Sequence, residues 1–106
     1  CQTFQGKWVK HEIDVVAEKN GRRTLVECKF HNRMGIKNDV KIALYVKSRR
    51  DDLREGPEGK LIDEFYLVSN TSFTLDALTY AKGSRLQLLG VNAPEENPFL
   101  EQIKRL

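Results

Sequence analysis

The sequence predicts an α/β domain with a mixed β-sheet flanked by helices, and three observations carry that expectation. Residues 7–30 alternate apolar and polar side chains on both sides of an Asn20-Gly21 turn signal, as two hairpin strands do. Two later stretches, one from about Asn38 and one at "TSFTLDALTYAKG", place apolar residues at helical spacing. Two short apolar runs, "EFYLVSN" and "RLQLLGV", follow those helical stretches in turn, as strands joined by crossovers do. At 106 residues the chain forms one domain, 1–106, with a modest core.

Lys7 to Glu18 is the first strand, with Val9, Ile13, Val15 and Ala17 on one parity. Thr24 to Phe30 is the second, with Val26, Cys28 and Phe30 on one parity. A helix of roughly 15 residues follows from near Asn38, its apolar stripe including Val40, Ala43 and Leu44. Ile42, Tyr45 and Val46 widen that stripe, and Lys47 interrupts it. "SRRDDLREGPEG" is a charged loop, where Arg49, Arg50 and Arg54 among Asp51, Asp52 and Glu55 read as a solvated helix end. The third strand leads to a helix with Thr74 as N-cap and Gly83 as its end. A fourth strand, a loop "NAPEENP" and a short amphipathic helix "FLEQIKRL" complete the order.

No apolar run approaches the ~20 residues that span a membrane. Without a signal peptide the chain reads as cytoplasmic and as no membrane partner. It begins at Cys1 rather than Met, so it reads as a fragment of a longer chain. Cys1 and Cys28 have no metal-ligand spacing, and Cys28 reads as a buried, reduced thiol. The net charge of +3 permits a nucleic-acid partner without demonstrating one.

The hairpin register carries the chemical signal. With Asn20-Gly21 central, facing residue numbers sum to 41, so Asp14 faces Glu27 and Glu12 faces Lys29. Ile13 then faces Cys28 and Val15 faces Val26 on an apolar face. The 14:27 pair falls at a non-hydrogen-bonded site, where Cα atoms approach to about 4.5 Å. Like charges there destabilise a sheet by about 0.2–1 kcal/mol. A divalent cation between the carboxylates removes that cost, and hard oxygen ligands suit Mg²⁺ or Mn²⁺. The alternative is a solvated face on which Glu12 and Lys29 form a surface pair of little energetic consequence.

"EIDVVAEKNGRRTLVECKFHN" resembles the core of the PD-(D/E)xK nuclease superfamily. It is most similar to the Mrr-like restriction endonuclease branch of archaeal type. "YLVSNTSFTLDALTYA" resembles the strand and helix that follow in that branch, so the likeness covers about residues 9–91. The resemblance implies a restriction-endonuclease-like fold whose N-terminal core helix is missing here. It implies an Mg²⁺-dependent endonuclease, a hydrolase of DNA phosphodiesters. Asp14 and Glu27 would bind metal, the main-chain carbonyl of Cys28 would assist, and Lys29 would act on the attacking water or on developing charge. Glu12 would tune Lys29 or act through water. Cutting both strands with one site per chain implies a homodimer. Two alternatives share the fold: a structure-specific nuclease of the Holliday junction resolvase kind, and a DNA-binding module that does not cut.

Other polar residues have plainer readings. His31 reads as a strand-end surface histidine, and Asn70, Thr71 and Ser72 as turn and helix-entry chemistry. Trp8 fits a base-stacking residue or a partly buried anchor.

Overall fold

The structure is a computed structural model that describes residues 2–94. The elements run β1 (Gln2–Gln5), β2 (Lys10–Ile13), β3 (Val15–Lys19), β4 (Arg22–Lys29), α1 (Val40–Arg54), β5 (Ile62–Ser69), α2 (Leu75–Ser84) and β6 (Gln87–Leu89). A single 3-10 turn, Gly59–Leu61, precedes β5. The main sheet has the order β3-β4-β5-β6, antiparallel between β3 and β4 and parallel from β4 onward. A mixed sheet flanked by two helices is thus the architecture, as the alternation of elements implied. The amphipathic stretch "FLEQIKRL" lies outside the described residues.

The hairpin turn forms as the Asn-Gly signal requires. Asn20 and Gly21 both take positive φ, 54° and 77°, the backbone of a tight turn whose twist matches its strands. Val15 to Lys19 pair with Val26 to Arg22, and every pair sums to 41. Beyond Val15 the register does not continue. The expected single strand breaks at Asp14, and the part before it pairs with β1 instead: Glu12 faces Thr3 and Ile13 faces Gln2. The expected pairing of Glu12 with Lys29 is therefore corrected; Lys29 faces Ser69 across the parallel β4/β5 pair.

The break also reverses side-chain parity. Ile13 is wholly buried in the main core with Phe4, Leu25, Phe65 and Leu67, whereas Val15 is 47% exposed. The two residues therefore do not share one apolar face. One face of the sheet carries Leu25, Leu67 and Leu88 against Ala43, Val46 and Leu53 of α1 and Ala77 and Ala81 of α2. The other carries a smaller cluster of Val26, Val68 and Leu89 with Cys28 and Tyr66 beside it. Glu27, two residues after Leu25, points to the helix-covered face and is itself buried.

Both helices are capped by their own sequence. Asp39 accepts the Lys41 N–H at 2.9 Å, and Thr74 Oγ1 accepts the Ala77 N–H at 3.2 Å, as read for Thr74. The second helix closes at Ser84, one residue past the expected Gly83, with Arg85 in the left-handed conformation at φ 59°. The buried stripe of α1 is Ala43, Val46, Arg50 and Leu53, while Leu44 and Tyr45 are exposed. The charged end of α1 is not a solvated face. Arg50, 5% exposed, donates to the main-chain oxygens of Ser84 and Arg85, both at 3.0 Å, and ties the C-terminus of α2 to α1.

Candidate functional site

Asp14, Glu27 and Arg49 meet where the first ribbon breaks and α1 crosses the sheet. Asp14 sits at the break between β2 and β3, exposed, and its Oδ2 accepts the Cys28 N–H at 2.9 Å. The Asp14 carboxylate is thereby fastened to the residue after Glu27. Glu27 lies mid-β4, with its side chain 11% exposed, and its Oε2 accepts from Arg49 Nη1 at 2.5 Å. Glu27 Oε1 is buried and has no hydrogen-bond partner among the described residues. A buried charged oxygen without a donor costs about 1–3 kcal/mol or more, so such an atom in a folded protein calls for a reason.

Burial pushes the Glu27 carboxyl above the usual glutamate value, against the pull of Arg49; the Asp14 charge pushes it further, while the Asp14 main-chain N–H and His11 oppose. The expected strand pairing of Asp14 with Glu27 is not formed, because Asp14 lies in the break and the ladder stops at Val15 and Val26; the Asp14 charge still acts on the desolvated Glu27 carboxyl. Cys28 points to the opposite face of the sheet, and burial, then Asp14 and Glu27, push its thiol up, which argues against a thiolate nucleophile.

Lys29 ends β4, two residues beyond Glu27 and on the same face, and it is exposed. No ion pair holds it among the described residues. Glu12 has its side chain turned outward on β2, but its main-chain oxygen accepts from Arg49 Nη2. Glu27 and Lys29 thus share one face of β4, Asp14 is tied to the residue between them, and Glu12 joins the site through its backbone.

Sequence reasoning missed Arg49, His11 and Asp52. Arg49 Nε donates to His11 Nδ1 at 3.3 Å, and His11 Nε2 lies 2.8 Å from Asp52 Oδ2. With Nδ1 accepting, the imidazole proton belongs on Nε2, where it donates to Asp52. Asp52 also accepts the Trp8 and Val9 amides at 3.0 and 3.3 Å, and it closes on Gly6, where a Cβ would stand 2.1 Å from Oδ2. These contacts hold the Asp52 carboxyl below its usual value, the His11 hydrogen bond most strongly. The signal for Arg49 lay in its position three residues after Val46, the spacing of residues on one helical face. Trp8 is 76% exposed, so it is not a buried anchor.

The oxygen chemistry fits a hard cation. Among the described residues no three His, Cys, Asp or Glu side chains gather into a closed metal cage. Mg²⁺, however, is commonly held by one or two carboxylates and keeps several waters. Asp14 and the free Oε1 of Glu27 supply a donor set of that size.

No protein-family model matches the chain. An uncharacterized protein of Archaeoglobus fulgidus is 37% identical over 92 residues, which make up 87% of this chain and 50% of the relative. The crystal structure of AF1548, a protein of unknown function, matches with a TM-score of 0.78 at 34% identity, over 99% of this chain and 55% of that one. The chain therefore spans about half the length of the relatives it resembles.

Proposed function

We propose that the chain carries the active site of a metal-dependent DNA endonuclease, similar to the Mrr-like branch of the PD-(D/E)xK nucleases. The observation that supports this most directly is the orphaned Glu27 Oε1, buried beside the Asp14 carboxylate. A buried carboxyl with an unpaired oxygen, its proton affinity raised by burial and further by the Asp14 charge, forms an energetic deficit that a cation removes. Mg²⁺ or Mn²⁺ bound there would lower the pKa of a water and offset charge on a phosphodiester.

The protein's own residues do the rest. Asp14 and Glu27 offer two carboxylates where the ribbon breaks, one exposed and one desolvated. Lys29, exposed at the end of β4, brings a positive charge to a scissile phosphate and can orient the attacking water by hydrogen bonding. Glu12 is exposed and joins the site only through its main-chain oxygen, which leaves it the smallest part of the four acids and bases predicted. DNA as substrate and a homodimer that cuts both strands, acting in the cytoplasm, belong to the same reading.

Cleavage of supercoiled, linear and branched DNA by the full-length protein tests it, in Mg²⁺, Mn²⁺ or EDTA. Metal-dependent cutting of duplex DNA, abolished in Glu27→Gln and Lys29→Met, is expected. Cutting confined to branched DNA would select the resolvase alternative. Binding without cutting under every condition would remove the enzyme reading.

A further inference from the structure

We infer that Arg49 is the positioning residue of this site: one guanidinium fixes the Glu27 carboxylate and the main chain leading into Asp14, and so sets the two acids for a shared cation. The inference rests on the metal-site reading above. Its basis is the way all three guanidinium nitrogens are used. Nη1 holds Glu27 Oε2 at 2.5 Å, which leaves Oε1 as the free oxygen. Nη2 holds the oxygen of Glu12, two residues before Asp14, where the ribbon breaks. Nε meets His11 Nδ1 at 3.3 Å, and Asp52 fixes that ring from its other side at 2.8 Å.

The guanidinium also lies 5.5 Å from the centre of the Tyr45 ring, and the Arg49 side chain is only 12% exposed. It is therefore held on three edges and one face, inside the layer between α1 and the ribbon. A planar fork can join a carboxylate and a main-chain oxygen in fixed geometry; a lysine ammonium supplies the charge without the fork. If Arg49 merely neutralised Glu27, lysine would serve as well. If it occupied the cation's place, removing it would tighten metal binding. Positioning predicts that both replacements weaken it.

The test uses the full-length protein as wild type, Arg49→Lys and Arg49→Gln. Titration calorimetry with Mg²⁺ or Mn²⁺ alone measures metal affinity, and NMR of the metal-free protein measures amide exchange at Cys28. Loss of a partner that orients a metal ligand costs roughly 10–100-fold in affinity, and both variants are expected to show it. The Cys28 N–H, held by Asp14, should exchange faster in both, while the Leu67 amide in the core keeps its wild-type rate. Wild-type affinity and Cys28 protection in Arg49→Lys would overturn the inference in favour of charge balance alone. Tighter binding in either variant would overturn it in favour of competition. A wild type that binds no metal would overturn the metal reading and the shared-cation role with it; Cys28 exchange then still decides whether Arg49 clamps the Asp14 segment.

Discussion

Two buried polar clusters lie on this sheet, and they differ in one atom. Around Asn38, 3% exposed, everything is matched. Its Nδ2 faces Ser69 Oγ, Thr71 Oγ1 and the Ser72 oxygen at 2.8, 3.1 and 3.0 Å, and its Oδ1 meets His31 Nε2 at 2.8 Å. Asn70 closes the cluster by exchanging two hydrogen bonds with the His31 main chain, at 2.8 and 2.9 Å. Around Glu27, Arg49, His11 and Asp52 form an ordered chain, yet Glu27 Oε1 has no partner among the described residues. A saturated network holds elements together, here the end of β5 and the entries to both helices. A network that ends on an unpaired acceptor carries a desolvation cost that a saturated one does not.

The sharpest way to break this contrast is to remove Asn38. Asn38→Ala removes the buried amide shared by Ser69, Thr71 and the Ser72 oxygen, and the acceptor of the His31 ring. Each bond left unmet costs about 1–3 kcal/mol, although Ser69 and Thr71 keep each other at 3.3 Å. A loss of roughly 3 kcal/mol is expected, a fall in Tm of more than about 10 °C, with the Mg²⁺ response of the surviving fold unchanged. A urea melt that finds less than about 1 kcal/mol would deny the cluster its structural role.

Asp14→Asn addresses the other cluster. It keeps an acceptor for the Cys28 N–H and removes one of two repelling charges, so the metal-free fold should be as stable as wild type or slightly more so. Mg²⁺ at about a hundred times its Kd should stabilise the wild type by about 2.7 kcal/mol and leave the variant unmoved. Equal responses in the two proteins would remove Asp14 from the site.

The pH dependence of stability sharpens the comparison, because the acids of the second cluster shift in opposite directions. Glu27 has a raised folded value, so its contribution is fully present below the unfolded value near 4.3 and is lost as pH rises through the folded one. Metal-free Glu27→Gln should therefore gain on the wild type as pH rises toward 7, and the gain should vanish in acid. Asp52 has a lowered folded value, so its contribution is present above the ordinary value near 3.9 and is lost as pH falls through the folded one. Asp52→Asn should cost stability at neutral pH and little in acid. Melting curves across pH 3 to 7 for the three proteins check both signs; parallel curves would contradict the assignments.

The smallest effect is expected at the Trp8 side chain, which is exposed and touches the Asp52 cluster through its main-chain N–H alone. Trp8→Ala should change stability by no more than about 0.5 kcal/mol. Because it is the chain's lone tryptophan, its emission should be that of indole in water. Blue-shifted emission from the 106-residue chain, lost in Trp8→Ala, would contradict the exposed placement.

Much of the fold was legible because it is local. The Asn20-Gly21 turn fixed the 41 register over Val15 to Lys19, and Thr74 marks a helix start through a bond within three residues. The pairing failed at Glu12, and the reason is not local. Alternation records which side chains point together, but it does not record which strand lies alongside. Gln2–Gln5, too short and polar to read as a strand, takes β2 away from β4. The cost of facing Asp14 against Glu27 in a continuous ladder favours a break at that point.

By itself, then, the sequence determined the two helices, the strands after the turn and the hairpin register near it, since these follow from side-chain period and turn geometry, and that register singled out Asp14, Glu27 and Lys29 as candidates. The tertiary structure alone decided that Glu27 is buried, that one of its oxygens is unpaired, and that two neighbouring arginines have unlike tasks. Arg49 and Arg50 are adjacent in a charged run, yet about 100° apart around the helix. One reaches the broken ribbon and the other the end of α2. A charge pattern cannot distinguish them, because what an arginine does depends on the acceptor that packing places at the end of its side chain.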